Sequence, residues 1–127
     1  MSDPIGEFSL NHAGTTYAKT ADGELASYAN FQGTATGYGQ VFGTLILTRP
    51  LSEAGSTSGT CTWASAAYLE DGSTAGGLGE GTWEQNAGEH KWKVSLVTKV
   101  SSGESVRSEG EISLETLVYS GKLFAVD

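Results

Sequence analysis

The sequence predicts an all-β fold: one domain over residues 1–127, built as a closed eight-stranded antiparallel up-and-down barrel. Three observations lead there. A polar triplet ending in glycine recurs four times, as Ala21-Asp22-Gly23, Glu70-Asp71-Gly72, Asn86-Ala87-Gly88 and Ser101-Ser102-Gly103. A three-residue hairpin loop is a type I turn whose last residue takes positive φ, which glycine does at least cost. The segments between the triplets are rich in Thr, Val, Tyr, Trp, Leu and Ser, and none combines a helix cap with a 3.6-residue apolar period. Glycine is abundant at 18 residues while proline numbers only 2, which suits many tight turns and closely approaching strands rather than disorder.

The elements follow in order from this punctuation. Strands are expected at 7–20, 24–35, 39–49, 58–69, 73–85, 89–100, 104–114 and 117–126. Gly37-Tyr38-Gly39 marks a turn or bulge after the second strand, and Arg49-Pro50 ends the third. The one long connection, Leu51 to Gly59, is a candidate rim or lid. At about 11–12 residues the strands exceed the ~5–6 typical of globular sheets. Long consecutive strands with short loops make a meander, and closing it removes its exposed edges. An eight-stranded barrel is either filled by side chains or holds one small ligand. A β-sandwich is the alternative, though it needs longer crossing connections.

Two strands disclose their faces by period-two alternation. In the sixth, Trp92, Val94, Leu96 and Val100 oppose Lys91, Lys93 and Lys99; in the seventh, Val106, Ile112 and Leu114 oppose Arg107, Glu109 and Glu111. A three-residue loop at Ser101-Ser102-Gly103 sets Val94 beside Gly110 and Trp92 beside Ile112, bringing the apolar faces together. The same rule at Asn86-Ala87-Gly88 pairs Gln85 with Glu89, turns Leu78, Glu80, Thr82 and Glu84 inward, and sets His90 beside Glu84. Applied at Glu70-Asp71-Gly72, it turns Thr62, Ala64, Ala66 and Tyr68 inward and leaves Cys61, Trp63 and Trp83 outside, Trp63 lying across from Gly79. A two-residue Asp71-Gly72 turn is the other option, and it moves Trp63 and Cys61 inside with Glu80.

Glu80 is the sharpest candidate for chemistry. A carboxylate inside a barrel is desolvated, its pKa rises, and it can serve as a general acid or base near neutrality; the competing role is a solvent-facing or structural carboxylate. Tyr68 and Tyr119 are candidate hydrogen-bond donors beside it. Trp92, with Trp63, Thr62, Thr82, Leu78, Val94, Leu96 and Cys61, is expected to line a site for a flat or apolar molecule, or to be plain core. His90 with Glu84 reads as an exposed cross-strand pair. Two isolated histidines, His12 and His90, and one cysteine make no metal-ligand pattern, so neither metal nor cofactor is expected. Gly77-Leu78-Gly79-Glu80-Gly81 imitates a phosphate-binding loop, but no helix follows it.

A net charge of −8, from 15 acidic against 7 basic residues, argues against nucleic acid and anionic membrane surfaces as partners. The single Cys61 excludes an internal disulfide. The first residues carry no basic region followed by an apolar run, and no apolar stretch is long enough for a spanning helix, so a cytoplasmic protein is expected.

In strand number, turn rhythm and the glycine-rich strand Gly79-Glu80-Gly81-Thr82-Trp83, the chain resembles the small eight-stranded calycin and allene-oxide-cyclase-like barrels, dirigent proteins among them. The resemblance implies a hydrophobic cavity. It further implies cofactor-free isomerase, cyclase or lyase chemistry, or simple carriage of an apolar compound, and association as a dimer or trimer. An outward face with Trp63, Trp83 and bare glycines would suit such a contact. The expected function is therefore a barrel enclosing one small apolar or aromatic molecule, with Glu80 as acid or base. The alternatives are a non-catalytic carrier or sensor, and a solid structural module.

Overall fold

A computed structural model describes residues 3–126. Eight strands run in chain order: β1 (Gly6–Lys19), β2 (Leu25–Ala35), β3 (Gly39–Arg49), β4 (Ser58–Tyr68), β5 (Thr74–Gln85), β6 (Lys91–Val100), β7 (Ser105–Ser113) and β8 (Val118–Ala125). Each pairs antiparallel with the next, and β8 returns to β1, so the sheet is a closed barrel. The β3–β4 connection contains the only other regular element among the described residues, a turn of 3₁₀ helix at Leu51–Glu53.

Turn chemistry acts as the sequence suggests at three of the four triplets. Gly23, Gly72 and Gly103 stand at φ 82°, 90° and 104°. Their loops close by paired backbone bonds, as Gly103 N–H to the Val100 carbonyl (2.8 Å) and Val100 N–H to the Glu104 carbonyl (2.9 Å). Asp71 reinforces its turn by accepting from the Ser73 backbone N–H at 2.9 Å. The glycine-free β7–β8 turn instead places Leu117 at φ 58°.

The fourth triplet behaves differently, and this decides which side chains face inward. Gly88 has φ 73°, but the Asn86 N–H bonds the Lys91 carbonyl at 2.8 Å, leaving residues 87–90 as the loop. Gln85 therefore pairs with Trp92 rather than Glu89. A three-residue slip is odd, so it exchanges the faces of every strand upstream of it in the meander. The β4–β5 register is as expected, with Trp63 opposite Gly79 and Thr62 opposite Glu80. The inward set is consequently Cys61, Trp63, Ala67 and Trp83, all buried. Glu80, Thr62, Thr82, Leu78 and Tyr68 are exposed on the outer wall. This corrects the expected lining.

The physical reason is the size of the side chains at stake. Burying an indole removes about 150–250 Å² from water, roughly 4–6 kcal/mol at ~25 cal/mol/Å². The alternative register would bury Glu80 and Glu84 and expose Trp63 and Trp83. Preference among short turn types is small beside that difference.

The barrel is filled unevenly. Tyr119, Leu96 and Val94 are the largest fully buried side chains. Tyr119 packs edge-to-face on Phe8, Phe31 and Trp63, with ring centroids 4.9, 5.4 and 6.0 Å away. Trp63 lies directly over Gly43, where a Cβ would overlap the indole ring. The end bearing the β3–β4 and β5–β6 loops is plugged by Phe31, Leu45, Cys61 and Trp83, the Arg49 guanidinium standing 5.5 Å from the Trp83 ring centre. Toward the opposite end, β5 presents Ala75, Gly77, Gly79 and Gly81 at four successive inward positions. That strand wall is nearly bare.

The outer wall carries charged ladders. Glu111 stands opposite Lys93 and Lys122 opposite Glu109. Glu109 also accepts from Ser95 Oγ at 2.6 Å and pairs with Arg107 at 2.8 Å. No helix among the described residues is long and apolar enough to cross a membrane.

Candidate functional site: an apolar cavity at one end of the barrel

Beside the bare β5 wall is a cavity of about 90 Å³. Phe8, Val41, Val100, Val106 and Leu123 form its sides, with Trp63, Leu96 and Tyr119 toward the barrel middle. Small side chains make the space: Ala35, Ala67 and Ala75 stand where larger residues would fill it. The hydroxyls of Ser65, Thr98 and Ser108 add polarity without charge. Thr98 and Ser65 flank Gly77, so a Cβ there would come 3.0 Å from Thr98 Cγ2 and 3.1 Å from Ser65 Oγ.

The phenol of Tyr119 in this lining and the thiol of Cys61 deeper in the interior are held neutral. Burial pushes the Tyr119 phenol well above its ordinary range, against hydrogen bonding from Ser108 that acts the other way. Burial alone pushes the Cys61 thiol from its ordinary 9.0 up to about 11, so at neutral pH it is protonated rather than a thiolate nucleophile. The sign of the linkage follows. Between about pH 9 and 11 the unfolded thiol ionises while the folded one stays protonated, so stability is full below pH 9 and falls across that window. Urea melts at pH 8, 9, 10 and 11 are expected to trace this decline, and Cys61→Ala to remove the part due to the thiol. An equal decline in the variant would contradict the assignment.

The sequence-derived site residues divide between the two faces. Tyr119, Trp63, Cys61, Val94 and Leu96 are buried in the interior. Tyr119, Trp63 and Leu96 border the cavity, whereas Val94 and Cys61 pack in the filled half. Trp92 also faces inward, but it lies at the far end, partly buried and tilted against His90 at 6.1 Å. Glu80, Tyr68, Thr62, Thr82 and Leu78 do not reach the cavity. Tyr68 is half-exposed and packs edge-to-face on Phe42 at 5.8 Å. Glu84 stands opposite Lys93, and His90 lies in the loop rather than beside Glu84. With Trp63 and Trp83 inside, a subunit contact through outward tryptophans is not available to the folded barrel. Among the described residues no three His, Cys, Asp or Glu side chains cluster as metal ligands.

Much of the lining lies outside the expected site, and one such residue stands out. Tyr38, in the β2–β3 turn, lines the cavity, and its hydroxyl donates to Glu104 Oε1 at 2.8 Å. Burial first, then the hydrogen bond and charge of Glu104, push the Tyr38 phenol up to about 12, so it remains a protonated donor. The expected lid, Leu51 to Gly59, is at the other end of the barrel. The Gly37-Tyr38-Gly39 motif carried the available signal.

Comparison with known proteins finds no matching family model, no matching curated protein and no matching solved structure. The architecture is calycin-like in being an eight-stranded closed antiparallel barrel.

Proposed function

We propose that this barrel is a binding protein, a carrier or sensor, for one small, uncharged and largely apolar molecule. The supporting observation is the cavity of about 90 Å³ with a largely apolar wall and only uncharged polar groups, the hydroxyls of Ser65, Thr98, Ser108 and the two tyrosines Tyr38 and Tyr119. It is of the same order as the ~150 Å³ apolar void that admits benzene or xenon. That limits the occupant to about one small ring. Glu70, Asp71 and Glu104 lie on hairpin turns at the cavity end, and their field disfavours anionic guests such as carboxylic acids.

A catalyst of proton-transfer isomerisation, cyclisation or elimination works best with a group that ionises near neutrality beside its substrate. The cavity lining contains no carboxylate, imidazole or amine, and Glu80 is on the outer wall. The carrier reading is therefore preferred, on the site rather than on likeness of fold.

The test is thermal melting with benzene and with benzoate. At ten times its dissociation constant, benzene is expected to add about 1.4 kcal/mol, roughly 3–6 °C for a domain of this size. Benzoate is expected to add nothing. No rise with benzene would refute the binding reading, and an equal rise with benzoate would refute the preference for uncharged guests.

A further inference from the structure

We propose that Tyr38 is a hinged strap across the mouth of the cavity, latched by Glu104, and that its opening controls how fast guests enter and leave; the proposal deepens the binding reading above and rests on it. The sheet closes in strand order, so the β2–β3 and β6–β7 turns are separated by four strands in either direction around the ring. They therefore lie across the barrel from each other at the same end. The Tyr38 hydroxyl reaches from the first to Glu104 beside the second, a contact between residues 66 apart in sequence, closed at 2.8 Å. A side chain spanning the opening is a strap across it, and Tyr38 is itself part of the cavity lining.

The hinge is Gly37, at φ 82° on the N-terminal side of Tyr38, a conformation that glycine adopts at little cost; Gly39, at φ 72°, is the fixed side, where β3 begins and packs against the Tyr68 carbonyl. A Cβ on Gly37 would meet nothing within 4 Å, so the segment is unencumbered on that side. What holds it is the Tyr38 N–H bond to the Ala35 carbonyl, 3.0 Å, the bond to Glu104, and the packing of its ring on the core. The other half of the interior is packed with Trp83, Phe31, Leu45 and Cys61, so the mouth at the Tyr38 end is the short way in. A latch of one hydrogen bond suits a gate, being strong enough to bias the closed state and weak enough to open often.

The experiment reads the opening directly. In a Cys61→Ala background, Ala67→Cys places a thiol on the cavity wall, and its modification by methyl methanethiosulfonate is timed at fixed pH. The strap predicts that Tyr38→Ala speeds modification tenfold or more, and that Tyr38→Phe and Glu104→Ala, which cut only the latch, speed it several-fold. Native Cys61, in a chain with Ala67 intact, is the control for general loosening and is expected to keep its rate in the Glu104→Ala variant. Equal reporter rates in all variants, or a matching acceleration at Cys61, would overturn the strap. Because labelling needs no guest, it decides the strap even if benzene fails to bind, and that failure would count against the binding reading alone.

Discussion

Trp63→Ala is expected to lower stability by about 3–5 kcal/mol, the cost of deleting a large aromatic from a packed interior. For a chain of 127 residues this is a fall of roughly 10–25 °C in Tm. The indole packs edge-to-face on Tyr119 and lies over Gly43, so its loss opens a void that neither neighbour can collapse to fill. Thr62→Ala and Glu80→Gln, on the adjacent outward phase, are expected to change stability by no more than about 0.5 kcal/mol. Urea melts of the three variants check the inward face of β4 and β5 together. A large loss at Glu80 with little at Trp63 would mean that the strands are turned the other way.

On that face the local turn signals and the burial of large side chains point opposite ways. Strand positions were legible because long alternating segments and positive-φ glycines are local signals, and Gly23, Gly72 and Gly103 take the conformations that their triplets suggest. The β6–β7 register was legible because turn and hydrophobic pattern agree there, placing Val94 beside Gly110 and Trp92 beside Ile112 as observed. At Asn86-Ala87-Gly88 the local turn preference and burial conflict. Burial of Trp63 and Trp83 prevails, and the loop lengthens to place Gln85 opposite Trp92. The conflict was visible in principle. One phase of β4 and β5 holds Cys61, Trp63, Trp83 and glycines, and the other holds Glu80, Glu84 and threonines. Weighing the phases by burial rather than by turn type would have put the tryptophans inside. The Tyr38–Glu104 contact is another matter: it exists only once the barrel is closed, and no local pattern encodes it.

Ala75→Leu is expected to abolish benzene binding, weakening it tenfold or more, while leaving stability unchanged or raised by about 0.5–2 kcal/mol as a filled cavity does. Ala75 faces the cavity from the bare β5 wall, and three added carbons occupy the space a ring would take. Ala67→Val makes the same test from β4 with one fewer carbon. The benzene-dependent rise in Tm reports the result for each. A variant that folds, melts like the parent and still binds benzene with undiminished affinity would place the guest somewhere other than this cavity.

The hollow itself is tested most directly by methyl NMR of the protein under xenon, the smallest apolar guest such a void accepts. Saturable shifts are expected for the methyls of Val41, Val100, Val106 and Leu123, which border the cavity, while Leu78 on the outer wall stays still. Unmoved interior methyls, or shifts confined to Leu78 and its exposed neighbours, would contradict a barrel that keeps an apolar space open beneath Tyr38.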